Sequence, residues 1–169
     1  MNDLERFLTL WDTEAANTAS LLRALPADQY DFRPDPAGRS IGEMAWHLAE
    51  GEAYNSFGIV RGAFDATMRP PGIERPRTIA ELAPGFERVH AEAKARLADL
   101  TPERLDQTVL FFDRNQWPIR DILWNGIVLH LVHHRGQLSL LCRQAGGVPP
   151  GMYGPNREAM AAMRAAAGA

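Results

Sequence analysis

Three of the five histidines fall in one short stretch, His130-Leu131-Val132-His133-His134. Each buried imidazole nitrogen needs a partner, because an unsatisfied polar group in an apolar setting is costly. A metal ion is one such partner. Residues four apart on a helix lie about 40° apart around the axis, so His130 and His134 aim at a common point. His133, about 100° from His134, faces elsewhere. Two imidazoles on one helix do not hold an ion, so a third ligand has to come from another element. His47, between Trp46 and Leu48, is the best candidate, whereas His90, between Val89 and Ala91 among charged neighbours, is expected at the surface. The competing reading is that these are hydrogen-bonded core histidines; the i, i+4 spacing makes the two readings about equal.

Other chemistries find less support. Leu131 stands where the His-Glu-x-x-His motif of zinc peptidases carries its general base, which disfavours peptide hydrolysis. There is no phosphate-binding glycine loop and no Gly-x-Ser-x-Gly elbow. Tyr54 follows His47 by seven residues, and Gln137 follows His134 by three, so both are expected to face the same interior region. They are candidate substrate contacts, or else a core tyrosine and an interhelical amide. Cys142 is rotated about 80° from His134 and reads as packing, since an apolar setting raises a thiol pKa. Trp11, Trp46, Trp117 and Trp124 read as core.

The whole chain bounds these options. Its 169 residues suit a single domain, residues 1–169, and 18 basic against 21 acidic residues give a net charge of -3 that offers nothing to a polyanion. Nucleic acid is therefore not expected as a partner. One cysteine cannot form an internal disulfide, and the opening Met-Asn-Asp-Leu-Glu-Arg lacks the bases of a signal peptide. No apolar run approaches the ~20 residues that span a bilayer. A cytoplasmic protein without membrane association is expected.

The elements that must position the histidines follow from the 12 prolines, which leave three long windows free: Met1 to Leu25, Ala37 to Arg69 and Ile119 to Val148. Leu4, Phe7, Leu8 and Trp11 form the stripe of a first helix that Pro26 ends. Ser40-Ile41-Gly42-Glu43 is a capping box opening a second helix, expected to run to about Gly62. Thr78-Ile79-Ala80-Glu81 reads as another box, with Pro84 expected to kink or restart the third helix. Thr101-Pro102 suggests a short turn, and Thr108 to Phe112 an extended connector. Ile119 to Ala145, apolar nearly all round and closed by Gly146-Gly147, reads as the most buried helix. A short helix is expected around Asn156 to Arg164, with fraying from Met163 to Ala169. The sum is an all-α four-helix bundle with no sheet, and the long Arg69 to Arg77 loop implies a crossover.

The segments His130-Leu131-Val132-His133-His134-Arg135-Gly136-Gln137 and Ser40-Ile41-Gly42-Glu43-Met44-Ala45-Trp46-His47 closely resemble the DinB-like family. Arg33-Pro34, Trp117 and Pro149-Pro150-Gly151-Met152-Tyr153-Gly154 extend the resemblance over most of the chain. It implies an up-up-down-down bundle with a crossover, often a homodimer, carrying one divalent metal ion such as zinc, nickel or iron on His47, His130 and His134. Some members of that family are S-transferases or isomerases that use a small thiol such as mycothiol or bacillithiol. Two functions are therefore expected. One is a metal-dependent enzyme that offers a thiolate or water to a small-molecule electrophile; the other is a metal-stabilised dimeric bundle without turnover, acting as a stress-linked binding module.

Overall fold

The computed structural model describes residues 1–168. Four long helices form the bundle: α1 (Asp3–Arg23), α2 (Ile41–Arg61), α3 (Ile79–Arg96) and a composite α4. In α4, α-helical Ile119–Asp121 and His130–Gln144 flank a π-helical stretch, Ile122–Leu129. A terminal helix, α5 (Arg157–Ala167), is capped by Asn156 and lies wholly on the surface. The capping box of α2 forms as the sequence predicts, Ser40 and Glu43 satisfying each other's backbone N–H groups. A second such box at Asn2 and Glu5 opens α1.

Contacts between side chains fix the helix directions. Arg23 pairs with Glu87 and Asp12 with Lys94, so α1 and α3 are antiparallel. Trp46 packs at Gly85, and the Arg96 guanidinium lies 3.4 Å from the Ser56 hydroxyl, so α2 and α3 are parallel. Asn55 reaches Gly126 while Gly51 abuts His130, which sets α2 antiparallel to α4. Phe7 meets Trp124 and the Cys142 thiol faces the Ala24 carbonyl at 3.6 Å, making α1 and α4 parallel.

The order is up-down-down-up, and the expected up-up-down-down order does not occur. Its physical cause lies in the two connections. Between α1 and α2, the Ile41 and Gly42 amides donate to Phe32 and Tyr30 carbonyls at 3.0 and 2.9 Å, so α2 starts at the end where α1 stops. Between α2 and α3 the chain crosses the length of the bundle, held by buried Met68 and by the Trp46 indole donating to the Ile73 carbonyl at 2.9 Å. The crossover is where the sequence places it.

Several local expectations change. Pro84 does not restart α3, which runs unbroken through it, and the carbonyl it leaves unpaired, on Ala80, is exposed to solvent. Thr78 does not cap the backbone; its hydroxyl donates instead to the Glu81 carboxylate at 2.6 Å. A small antiparallel hairpin, β1 (Thr108–Leu110) with β2 (Gln116–Pro118), forms where only an extended connector is expected. The tail is helical from Met163 to Ala167 rather than frayed, and Ala169 lies outside the described residues. α4 is not buried all round, since its apolar Leu129 and Leu140 are exposed.

The core has two parts. One packs Trp46, Leu48, Leu82, Phe86, Leu131 and Leu138, and the other Phe7, Trp11, Ile59, Leu97, Ile122 and Val128. Along every helix the boundary between them is polar. Glu14 on α1, Glu52 on α2, His90 on α3 and His130 on α4 sit near this level, and Arg135, one turn further along α4, reaches Glu14.

Candidate metal centre

α2 and α4 bring His47, His130 and His134 together, with one ring nitrogen from each lying within 4.8 Å of the others. Ring centroids are 4.8 Å apart for His47 and His130, 4.6 Å for His47 and His134, and 4.4 Å for His130 and His134. All three are partly buried. His133 is exposed and outside the group, as its direction on the helix predicts.

The supporting contacts fix the ring orientations. His134 Nδ1 faces Gln137 Oε1 at 2.7 Å and donates to it, which leaves Nε2 free to act as a ligand. The Gln137 amide nitrogen in turn lies 3.2 Å from His133 Nε2, so His133 serves the centre through Gln137. Glu50, one turn after His47, places Oε2 at 3.5 Å from His47 Nδ1. That is longer than an ordinary hydrogen bond, yet it sets negative charge behind the imidazole. Burial above all, then the neighbouring histidines and Arg39, lower the His130 pKa to about 4. Burial likewise lowers that of His134, against the hydrogen bond it donates to Gln137. Both rings are therefore neutral at pH 7, the form that binds a metal. A group of three imidazoles with a carboxamide and a carboxylate behind them fits a divalent ion of the zinc, nickel or iron type.

The approach of the two helices depends on glycine. A Cβ on Gly51 would come within 2.7 Å of His130 Nδ1, and one on Gly126 within 2.8 Å of Asn55 Oδ1. The Asn55 amide donates to the Gly51 and Gly126 carbonyls at 2.7 and 2.8 Å, tying the π-helical turn to α2 just before His130.

Two clefts reach the centre. The first, about 440 Å³, is lined by His47, His130, Glu50, Tyr54, Phe111 and Phe112. The second, about 510 Å³, contains His134, Gln137, Arg39 and Gln144. Tyr54 and Gln137 therefore line different clefts rather than the one region expected. Glu50, Asn55, Arg39 and the Phe111–Phe112 pair were not singled out from sequence. Only Glu50, at i+3 from His47, carried a usable spacing signal.

His90 is the clear misreading. Its side chain is 14% exposed, Nδ1 lies 2.8 Å from buried Glu52 and Nε2 3.1 Å from Asp12. Trp11 donates to the other Glu52 oxygen at 2.9 Å, and Lys94 pairs with Asp12 at 2.6 Å. Two carboxylate acceptors require two N–H donors, so this ring is an imidazolium. Burial opposes that charge, but Glu52 and Asp12 outweigh it and the pKa is raised. Cys142 is buried with a raised pKa, as expected of a packing residue.

Comparison with known proteins agrees with this architecture. The chain is 30% identical over 159 residues to the uncharacterized protein YrdA of Bacillus subtilis (strain 168), covering 92% of this chain and 90% of that one. The crystal structure of a DinB-like protein from Bacillus cereus ATCC 10987 superposes with a TM-score of 0.73 at 27% identity, over 88% of this chain and 97% of the other. YfiT from Bacillus subtilis, described as a probable metal-dependent hydrolase with an unusual four-helix bundle topology, shares the fold. Its TM-score is 0.64 at 13% identity, over 86% and 90% of the two chains. Residues 10–138 match the DinB superfamily. The chain belongs to that superfamily.

Proposed function

We propose that the protein is a divalent-metal-dependent enzyme that presents a small thiolate to an electrophilic small molecule, as an S-transferase or isomerase. The observation carrying this reading is the meeting of three imidazoles at one point between two open clefts. Among the described residues the group includes no fourth histidine, cysteine or carboxylate. When bound, a divalent cation supplies a Lewis-acidic position that keeps a small nucleophile anionic at neutral pH. Gln137 and Glu50 orient His134 and His47, while Tyr54, Phe111 and Phe112 offer the electrophile a wall that limits water. In transfer, the sulfur lone pair forms the new S–C bond and the leaving group departs with its own pair.

The cleft volumes, both within the range of about 300–1,000 Å³ for small-molecule sites, favour turnover over a metal-stabilised bundle without activity. Water in place of the thiolate would make a hydrolase, the activity ascribed to YfiT. The reading includes a homodimer in the cytoplasm. It is tested by titrating the cobalt-substituted protein with small thiols. A sulfur-to-cobalt charge-transfer band, followed by turnover of an epoxide or aryl halide, is expected. Hydrolysis of an activated ester without any thiol band would select the hydrolase.

A further inference from the structure

A transfer reaction brings two molecules to one centre, and the two clefts differ in chemistry. Beside His47 and His130 the wall is aromatic, made by Tyr54, Phe111 and Phe112, with Glu50 as the charged group. Beside His134 the cleft carries Arg39 with the amides of Gln137 and Gln144. Arg39 is the informative residue. Its neighbours Arg33 and Arg75 both pair with Glu43, at 3.0 and 3.7 Å, whereas Arg39 makes no ion pair or hydrogen bond among the described residues. Asp35 also lines this cleft, but its carboxylate accepts the Ala37 amide at 3.0 Å in a tight turn and does not pair with Arg39. Arg39 and His134 line the same cleft, which places the guanidinium on the approach to the centre. An exposed planar guanidinium without a partner, lining an open cleft beside the amides of Gln137 and Gln144, suits bidentate binding of a carboxylate.

We infer that the Arg39 cleft is an anion subsite of the three-histidine centre. It takes the carboxylate of a small polar ligand whose other end reaches the histidines, leaving the aromatic cleft to the apolar partner. The inference rests on the proposed reading of the centre and assigns the hydrophilic reactant to one side of it.

The test uses three probes on zinc-loaded protein, followed by backbone amide NMR: N-acetylalanine, its carboxamide, and N-acetylcysteine. N-acetylalanine should shift the signals of Arg39, Gln137 and Gln144, leave Phe111 and Phe112 unmoved, and bind about tenfold more tightly than the carboxamide. In R39Q, with zinc content unchanged, that preference should vanish. Equal binding of acid and carboxamide overturns the inference. So does a preference that survives in R39Q, shifts centred on Phe111 and Phe112, or no binding of N-acetylalanine at high millimolar concentration. N-acetylcysteine separates the two proposals. If it binds no more tightly than sulfur-free N-acetylalanine, thiolate ligation fails while the anion subsite stands.

Discussion

Gln137 lies at the hinge of the centre's chemistry, because its carbonyl holds the His134 tautomer while its amide reaches His133. Its replacement by alanine should weaken zinc binding about 10–100-fold, measured by competition with a chromogenic chelator, with little change in fold. His133→Ala should cost less, since its ring meets the centre only through Gln137 and an edge contact with His134. The clustering of His47, His130 and His134 was legible in the sequence because two shared a helical spacing and the third sat in a strongly capped helix. Arg39 was not, since a lone charge in sequence looks the same whether it faces solvent or a cleft, and Glu50 offered only its i+3 spacing from His47. His90 misled for a related reason: its neighbours on α3 are charged, but its partners Glu52 and Asp12 come from α2 and α1.

Among the elements, the contact of α2 with α4 decides whether the ligands can meet. Gly51→Ala improves helix propensity by about 1 kcal/mol but drives a methyl group to within 2.7 Å of His130 Nδ1. That variant should stay helical by circular dichroism and lose metal affinity, whereas an unchanged affinity would show that His130 is free to shift. Asn55→Ala should destabilise the protein by roughly 1–3 kcal/mol in urea, leaving the Gly51 and Gly126 carbonyls without their shared donor. Three of the four long helices were readable from proline-free windows, and α3 was readable from its Thr78–Glu81 start signal although Pro84 lies within it. Their directions were not, because direction depends on which loop spans the bundle, and the Tyr30 and Phe32 contacts that fold the first loop back are tertiary. The π-helical stretch has no sequence signature here beyond Gly126; it forms because α2 packs closely and Asn55 supplies the bridging donor.

At the scale of the whole molecule, a polar level runs through all four long helices. Arg135 donates to the Glu14 backbone carbonyl at 2.8 Å and also to the Glu14 carboxylate and the Tyr153 hydroxyl, binding the C-terminal segment to α1. Opposite it, charged His90 joins α3 to α1 and α2. The pKa of His90 is raised above its ordinary 6.5, so its contribution is fully present below about pH 6.5 and is lost as pH rises through the folded value. Urea melts of wild type and H90Q should therefore differ most at acidic pH and converge in alkali; a constant difference would contradict the charged assignment. A metal held by the three histidines would be the remaining tie, joining α2 to α4, and binding to the native state alone would stabilise it by about 2.7 kcal/mol at a hundredfold excess over Kd. The most direct measurement is the metal content and melting temperature of protein purified without a nickel column, for wild type and for H47A, H130A, H134A and H133A. The account predicts one ion per chain in wild type and H133A, with loss of the ion and of its thermal stabilisation in the other three. Full metal retention by H47A, H130A and H134A would contradict it.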